Sequence, residues 1–147
     1  MKKDFDQWNT QKKKVDERKV RRDLFFYERE VWWCTLGVNI GVETDGKNEN
    51  YERPVLIVKK FNDAMIWIVP LTSREKLGPH YLKVTHDPGM SWVCLSQIRT
   101  VSTKRLLRKI GMISEQEFGM IMGKISDYIK IGPRISAGSS EAEATNN

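Results

Sequence analysis

Three apolar, β-like runs of the sequence each meet polar residues that could bind an anion. Arg53 opens one run, Thr72 and Ser73 close a second, and Gln97 and Arg99 follow a third. A guanidinium group is planar and permanently charged, which suits bidentate contact with a phosphate, and a threonine hydroxyl can donate to a phosphate oxygen. Because strand ends can present such side chains to a groove, the pattern indicates a site directed at phosphate.

The order of these segments resembles that in the MazF/PemK (Kid) family of toxin ribonucleases. The matching stretches are, in order, Gly37-Val38-Asn39-Ile40-Gly41-Val42-Glu43-x-x-Gly46, Arg53-Pro54, Pro70-x-Thr72, Gln97-x-Arg99-Thr100, Lys104-Arg105-Leu106 and Lys109-Ile110-Gly111. The resemblance covers about residues 30–131, and the common order makes the signal specific. It implies the toxin of a toxin–antitoxin pair, an endoribonuclease that cuts single-stranded RNA such as mRNA without a metal or other cofactor.

The same resemblance implies a fold and protein partners. Members of the family have an SH3-like small antiparallel barrel with a C-terminal α-helix, and they usually form two-fold homodimers. A cognate antitoxin protein covers the RNA groove with an extended segment. The strand pattern agrees, because several short β-like runs followed by one amphipathic helix are typical of a small antiparallel barrel. We therefore expect a mainly β (α+β) chain.

Nine residues are candidates for the site that the resemblance implies. The expected catalytic residues are Arg53, Thr72 and Arg99, and the expected substrate-binding residues are Ser73, Gln97, Glu43, Glu30, Lys104 and Arg105. Lys104 and Arg105 belong to an acid-free basic cluster, residues 99–109, that could steer a phosphate backbone. The alternative for this cluster is a solvated charged face.

Arg53 has a structural alternative to catalysis, a surface salt bridge with Glu52 or Glu43. If it is catalytic, its expected role is to stabilise negative charge on the phosphoryl oxygens. An arginine with a pKa above about 12 is a poor general base at neutral pH.

Other candidates have alternatives of the same kind. Thr72 could cap a turn, and Gln97 could only satisfy the backbone at the end of a strand. Glu30 could act as a general base, or it could be an ordinary surface carboxylate. The residue types alone do not distinguish a functional role from a structural one.

The sequence also departs from the family pattern. Val42 stands where some relatives have a histidine, and Ser102 replaces an acid that is common after the Arg-Thr segment. Residues 47–52 lengthen the loop before Arg53, so the cleaved RNA sequence cannot be transferred from relatives. These departures make an inactive RNA-binding protein an alternative. A gyrase poison of the CcdB type is a second alternative because it shares the fold, although Arg53, Thr72 and Arg99 favour the nuclease.

Charge and composition divide the chain into three parts. The net charge is +6, and residues 1–22 hold nine of the 25 Lys and Arg residues but only four of the 19 Asp and Glu residues. We expect a basic helical arm over residues 1–27, a barrel domain over 28–131 and a disordered tail over 132–147. Because the arm carries charge but no motif residue, it is expected to contribute RNA affinity rather than chemistry.

The pattern of apolar residues predicts the individual elements. The expected helices cover residues 4–22 and a C-terminal segment that opens with the capping box Ser114-x-x-Glu117. The expected strands are residues 31–36, 53–59, 64–71, 80–85, 91–96 and 108–112, with a single helical turn at 104–107.

Cysteine usage and hydropathy indicate a cytoplasmic protein. Cys34 and Cys94 both lie in apolar runs, so buried reduced thiols are expected rather than a disulfide. No apolar run approaches the ~18 residues that span a bilayer, and no signal peptide is recognisable. No His, Cys and carboxylate cluster has the spacing of metal ligands.

Overall fold

The computed structural model describes residues 2–87 and 89–132. The elements in chain order are α1 (Phe5–Asp16), β1 (Glu30–Thr35), β2 (Glu52–Lys60), β3 (Met65–Thr72), β4 (Tyr81–His86), β5 (Gly89–Cys94), β6 (Arg99–Ser102), β7 (Leu106–Met112) and α2 (Glu115–Ile129). Two 3₁₀ turns, Leu95–Gln97 and Thr103–Arg105, flank β6. No helix in the described part of the chain is long and apolar enough to cross a membrane.

The strands form one antiparallel sheet in the order β4-β5-β3-β2-β1-β7, and β6 pairs with the first half of β3. In the β2–β3 hairpin Val55 pairs with Pro70, so Arg53 and Thr72 lie at the same end of that hairpin. Arg99 of β6 pairs with Ile68 of β3. The sheet thereby gathers the three polar segments around the C-terminal half of β3.

The central strand β2 is buried on both faces because its residues are apolar in succession. Leu56 and Val58 belong to one hydrophobic cluster, whereas Val55 and Ile57 belong to another on the opposite face. Each cluster holds ten or more buried side chains, so the strand that carries Arg53 is rigidly held. This packing fixes the backbone from which the arginine projects.

The sheet curves back on itself, and α2 packs against one of the two clusters. Gly111 of β7 lies so close to the main-chain oxygen of Asp87 that a Cβ atom there would overlap it. The side chain of Ser114 accepts from the amide of Glu117 and caps α2, as the capping box predicts. The predicted fold, a mainly β antiparallel barrel with helices at both ends, is confirmed.

Several predicted boundaries are wrong. The first helix ends at Asp16 rather than at residue 22. The chain beyond it is held by contacts with the barrel instead, since Arg18 and Arg21 donate to the main-chain oxygens of Lys104 and Leu106. The predicted strand over residues 91–96 stops at Cys94, where a 3₁₀ turn begins. The predicted tail lies outside the described residues except for Gly132.

Candidate nucleic-acid interface

Two adjoining clefts open at the end of the β2–β3 hairpin. The Arg53 cleft, of about 510 Å³, is lined by Val42, Thr44, Asp45, Gly46, Lys47, Arg53, Pro70, Leu71, Thr72, Arg74, Lys76, Tyr81, Cys94 and Gln97. The Arg99 cleft, of about 320 Å³, is lined by Leu36, Asn39, Glu43, Thr44, Pro70, Ser96, Gln97, Ile98 and Arg99. The two clefts lie side by side, since they share Thr44, Pro70 and Gln97, and each has the volume of a ligand site. Together they make up the groove.

Arg53 is half-buried, and main-chain oxygens fix its guanidinium group. Nε donates to the oxygen of Asp45 over 2.7 Å, and one terminal nitrogen donates to the oxygen of Leu71 over 3.2 Å. The salt bridge to Glu52 or Glu43 that the sequence allowed is absent, since Glu52 pairs with Arg108. Burial lowers the pKa of Arg53, and the nearby carboxylate of Asp45 opposes that shift. The guanidinium group stays positively charged at neutral pH, as arginine does in proteins.

Thr72 is half-buried at the end of β3, and its hydroxyl oxygen accepts a hydrogen bond from the amide of Arg74 over 3.2 Å. This is the turn cap that the sequence allowed as an alternative. It does not use the hydroxyl proton, which can still be donated to a ligand in the Arg53 cleft. Ser73 is exposed and lies outside the residues that line either cleft.

Gln97 holds the β1–β2 loop in place at the boundary between the clefts. Its Oε1 accepts from the amide of Thr44 over 3.1 Å, and its Nε2 donates to the main-chain oxygen of Val42 over 3.0 Å. The side chain thus satisfies backbone groups of a loop 53 to 55 residues away. Gln97 can therefore influence ligand binding by fixing the conformation of that loop.

Arg99 supplies the cation of the second cleft. Its side chain is half-buried, and within residues 2–87 and 89–132 it makes no hydrogen bond or ion pair, so all its donors are available. The exposed carboxylate of Glu43 lies in the same cleft and accepts from the amide of Ile40 over 2.9 Å. The structure therefore brings Arg53, Thr72, Gln97, Arg99 and Glu43 into one groove.

Other residues of the groove were missed from the sequence. Lys47, Arg74 and Lys76 are exposed on the rim of the Arg53 cleft and add positive charge. Tyr81 and Cys94 form part of its wall, and the interaction with Cys94 raises the pKa of Tyr81. Cys94 is only half-buried, so the expectation of a buried thiol holds for Cys34 alone. Burial raises the pKa of Cys34 to about 12.

Glu30 is not a surface carboxylate, and the structure does not bring it to the groove. It is only 3% exposed, and one oxygen accepts from Trp32 Nε1 and from the amide of Tyr27, each over 2.9 Å. Its other oxygen pairs with Lys109 over 3.0 Å. A buried carboxylate with these partners holds β1 and β7 together rather than meeting a substrate.

Lys104 and Arg105 also lie outside both clefts. Lys104 donates to the main-chain oxygen of Asp16 over 2.8 Å, at the end of α1. Arg105 donates to the oxygen of Thr35 over 3.0 Å and of Leu36 over 3.3 Å, at the end of β1. Burial and the nearby Arg99 lower the pKa of Arg105. Lys104 therefore stabilises the end of α1, and Arg105 stabilises the end of β1. The expectation that these two residues bind substrate in this groove is not met.

Five cationic side chains and two carboxylates line the two clefts, so positive charge predominates in the groove. Among the described residues, no group of three or more His, Cys, Asp or Glu side chains could hold a metal ion. The carboxylate of Asp45 forms its ion pair with Lys3 over 3.0 Å, and Arg53 forms no ion pair within the described part of the chain. A phosphate is the ligand that this arrangement fits.

The sequence and the fold both match those of known proteins. The model of the PemK-like, MazF-like toxin of type II toxin–antitoxin systems matches residues 27–129. MazF from Deinococcus radiodurans has a similar structure, with a TM-score of 0.62 and 16% identity, over 74% of this chain and 100% of that one. No curated protein matches the sequence.

Two mycobacterial structures are similar in the same way. An endoribonuclease from a mycobacterial species, solved in complex with its cognate antitoxin, has a TM-score of 0.55 and 16% identity over 75% of this chain and 100% of that one. Mycobacterium tuberculosis toxin MazF-mt6 has a TM-score of 0.53 and 16% identity over 71% and 100%. At these identities the similarity concerns the fold.

Proposed function

Because the chain belongs to the PemK-like, MazF-like toxin family of type II toxin–antitoxin systems, we propose that it is an endoribonuclease that cleaves single-stranded RNA, including mRNA in the cytoplasm, without a metal ion. The observation that carries the proposal is the Arg53 guanidinium, fixed by two main-chain oxygens in a groove rimmed by further cations. Such a group is preorganised for the charge of a phosphoryl transition state.

The proposed reaction uses the 2′-hydroxyl of the ribose as the nucleophile. Its oxygen attacks the adjacent phosphorus and loses its proton, the bond from phosphorus to the 5′-oxygen breaks, and the leaving oxygen takes up a proton. The products are a 2′,3′-cyclic phosphate and a free 5′-hydroxyl. Negative charge accumulates on the non-bridging oxygens, and stabilising that charge is the role we assign to Arg53.

Each of the other groove residues has a role that its contacts support. Thr72 donates its free hydroxyl proton to a phosphoryl oxygen, and Arg99 binds the backbone of the RNA in the adjoining cleft. Gln97 positions the loop above the RNA, as its two hydrogen bonds indicate. Lys47, Arg74 and Lys76 attract the strand without reading its sequence. Ser73, which is exposed next to Thr72, and Glu43 of the Arg99 cleft are proposed as further RNA contacts.

The family membership also supports two protein partners. One solved relative is an endoribonuclease in complex with its cognate antitoxin, and we propose that an antitoxin segment neutralises this chain by covering the cationic groove. We further propose that the toxin is a homodimer. Both partners follow from the toxin assignment rather than from contacts within the chain.

Incubation of the purified protein with end-labelled single-stranded RNA in EDTA tests the function. Cleavage that yields a 2′,3′-cyclic phosphate is expected, whereas an RNA with 2′-deoxyribose at the cleaved position should remain intact because the nucleophile is absent. A strict requirement for Mg²⁺, or cleavage of the deoxy substrate, would contradict the mechanism. Binding without cleavage would indicate an inactive RNA-binding protein. If the protein neither binds nor cleaves RNA, the result would favour a gyrase poison.

A further inference from the structure

The segment that precedes α1 is fastened to the loop that walls the groove, residues 37–46. Lys3 donates to the main-chain oxygens of Asn39 over 2.7 Å and of Gly41 over 3.1 Å. It also forms an ion pair with Asp45 Oδ2 over 3.0 Å. One ammonium group therefore holds three points of the loop.

The helix α1 itself is also anchored to the barrel. The Trp8 side chain is only 6% exposed, packs against Gly37 and lies 5.1 Å from the ring of Tyr51, centroid to centroid. At the other end of the helix, Lys104 donates to the main-chain oxygen of Asp16 over 2.8 Å. Because both ends of the helix are attached, Lys3 reaches the loop from a rigid base.

Asp45 connects this anchor to the arginine of the groove. Its Oδ2 pairs with Lys3, its Oδ1 accepts from the amide of Asn39 over 2.6 Å, and its main-chain oxygen accepts from Arg53 Nε over 2.7 Å. Two successive contacts thus join Lys3 to Arg53. None of the described residues before position 36 lines either cleft.

We propose that Lys3 is a positioning residue for the candidate active site, which keeps Arg53 aimed at the scissile phosphate by fixing Asp45. This inference rests on the proposed ribonuclease function and assigns the arm a role in turnover besides the RNA affinity expected from its charge. The charge of Lys3 is already neutralised by Asp45, so its contribution is geometric rather than an attraction for phosphate. Small displacements of a catalytic group are known to cost large factors in rate.

Replacement of Lys3 by methionine tests the proposal, with Lys2→Met as the matched control. Lys2 is exposed, and it makes no hydrogen bond or ion pair within the described part of the chain. Lys3→Met should lower kcat about 10-fold with little change in KM, and Lys3→Arg should restore most of the rate. The dependence of RNA affinity on salt should stay at the wild-type value in Lys3→Met, because the charge of Lys3 is already paired with Asp45.

A second readout does not depend on RNA cleavage. Lys3→Met should accelerate hydrogen exchange at the amide of Asn39 and shift the Nε–H resonance of Arg53, whereas Lys2→Met should change neither. If the wild-type protein cleaves no RNA, the proposed function fails, but these two signals still decide whether Lys3 positions Arg53. Equal kcat values and unchanged signals in the two variants would overturn the proposal, as would a salt dependence lost only in Lys3→Met.

Discussion

Arg53 donates from Nε to the main-chain oxygen of Asp45 over 2.7 Å, and this bond sets the direction of the guanidinium group. A second donor of Arg53 is used by the oxygen of Leu71. Arginine has five N–H donors, so three remain for a ligand. Because both acceptors are main-chain oxygens, which carry no formal charge, these two hydrogen bonds hold the side chain in place without cancelling its charge.

Removal of this group should reduce RNA cleavage strongly. Arg53→Ala is expected to lower the rate by roughly 10²–10³-fold, the usual loss for one preorganised charge stabiliser. Arg53→Lys should restore only part of the rate, because an ammonium lacks the bidentate fork. Thr72→Ala should cost less, since a neutral donor contributes less than a charged one. Single-turnover cleavage assays on the three variants measure these effects.

Arg22→Ala is the control for the arginine series, because Arg22 is exposed in the arm, outside both clefts. It should cleave RNA at nearly the wild-type rate once RNA is saturating. Circular dichroism should show all of these variants folded, since Arg53 and Thr72 lie at strand ends. An Arg53→Ala variant as active as Arg22→Ala would remove Arg53 from the mechanism.

Gln97 should act on the loop rather than on the RNA directly. Gln97→Ala removes the partners of the Thr44 amide and of the Val42 oxygen, so hydrogen exchange at Thr44 should become faster even without RNA. Gln116→Ala, at an exposed position of α2, is the matched control and should leave that exchange rate unchanged. Protection at Thr44 that survives in Gln97→Ala would show that the loop does not depend on Gln97.

The sequence predicted the local elements well and the long-range contacts poorly. The hairpin that carries Arg53 and Thr72 followed from two apolar runs and a short polar turn. The ion pair of the buried Glu30 could not be foreseen, because its partner Lys109 lies 79 residues further along the chain. The contact of Lys3 with Asp45 is equally non-local, and a basic arm gives no local signal for it.

The protein should sediment as a dimer at micromolar concentration. A small barrel leaves strand edges and apolar side chains that association can cover. Two such apolar side chains are Phe61 and Met65, which are 43% and 41% exposed. Analytical ultracentrifugation should give twice the 17.1 kDa mass of the chain. A species of 17.1 kDa alone at this concentration would contradict the homodimer.

His86 should make stability depend on pH. It is buried and its Nε2 lies 2.9 Å from Ser91 Oγ. Burial lowers its pKa below 6.5, although Glu117 opposes the shift, so the unfolded chain binds the proton more readily. The free energy of unfolding should therefore be fully retained above pH 6.5 and fall as the pH drops through the lower folded pKa.

The two histidines of the chain allow a matched test of this dependence. His86→Gln should flatten the decrease in thermal midpoint between pH 7 and pH 5, whereas His80→Gln, at an exposed position, should preserve it. Differential scanning calorimetry at several pH values measures the difference. An equal slope in both variants would assign the pH dependence to other groups.

Two glycines of the β1–β2 loop separate backbone strain from packing against the arm. Gly37 has φ +81° and Gly41 has φ +55°, so alanine at either position is strained by roughly 1–2 kcal/mol. At Gly37 the new Cβ would also overlap the Trp8 indole, whereas at Gly41 no atom lies within 4 Å. Gly37→Ala should therefore carry an additional cost of about 1–3 kcal/mol from overpacking.

Urea unfolding of the two variants measures that difference. Gly37→Ala should lower the free energy of unfolding by more than Gly41→Ala, and the excess should shrink when Trp8 is also replaced by alanine, because the overlap is then removed. If Gly37→Ala and Gly41→Ala lower the free energy of unfolding equally in the Trp8→Ala background, the arm contacts the loop through Trp8 and Gly37. If Gly37→Ala and Gly41→Ala were equally destabilising with Trp8 present, the arm would not pack on Gly37 in solution, and the route from Lys3 to Arg53 would lose its rigid base.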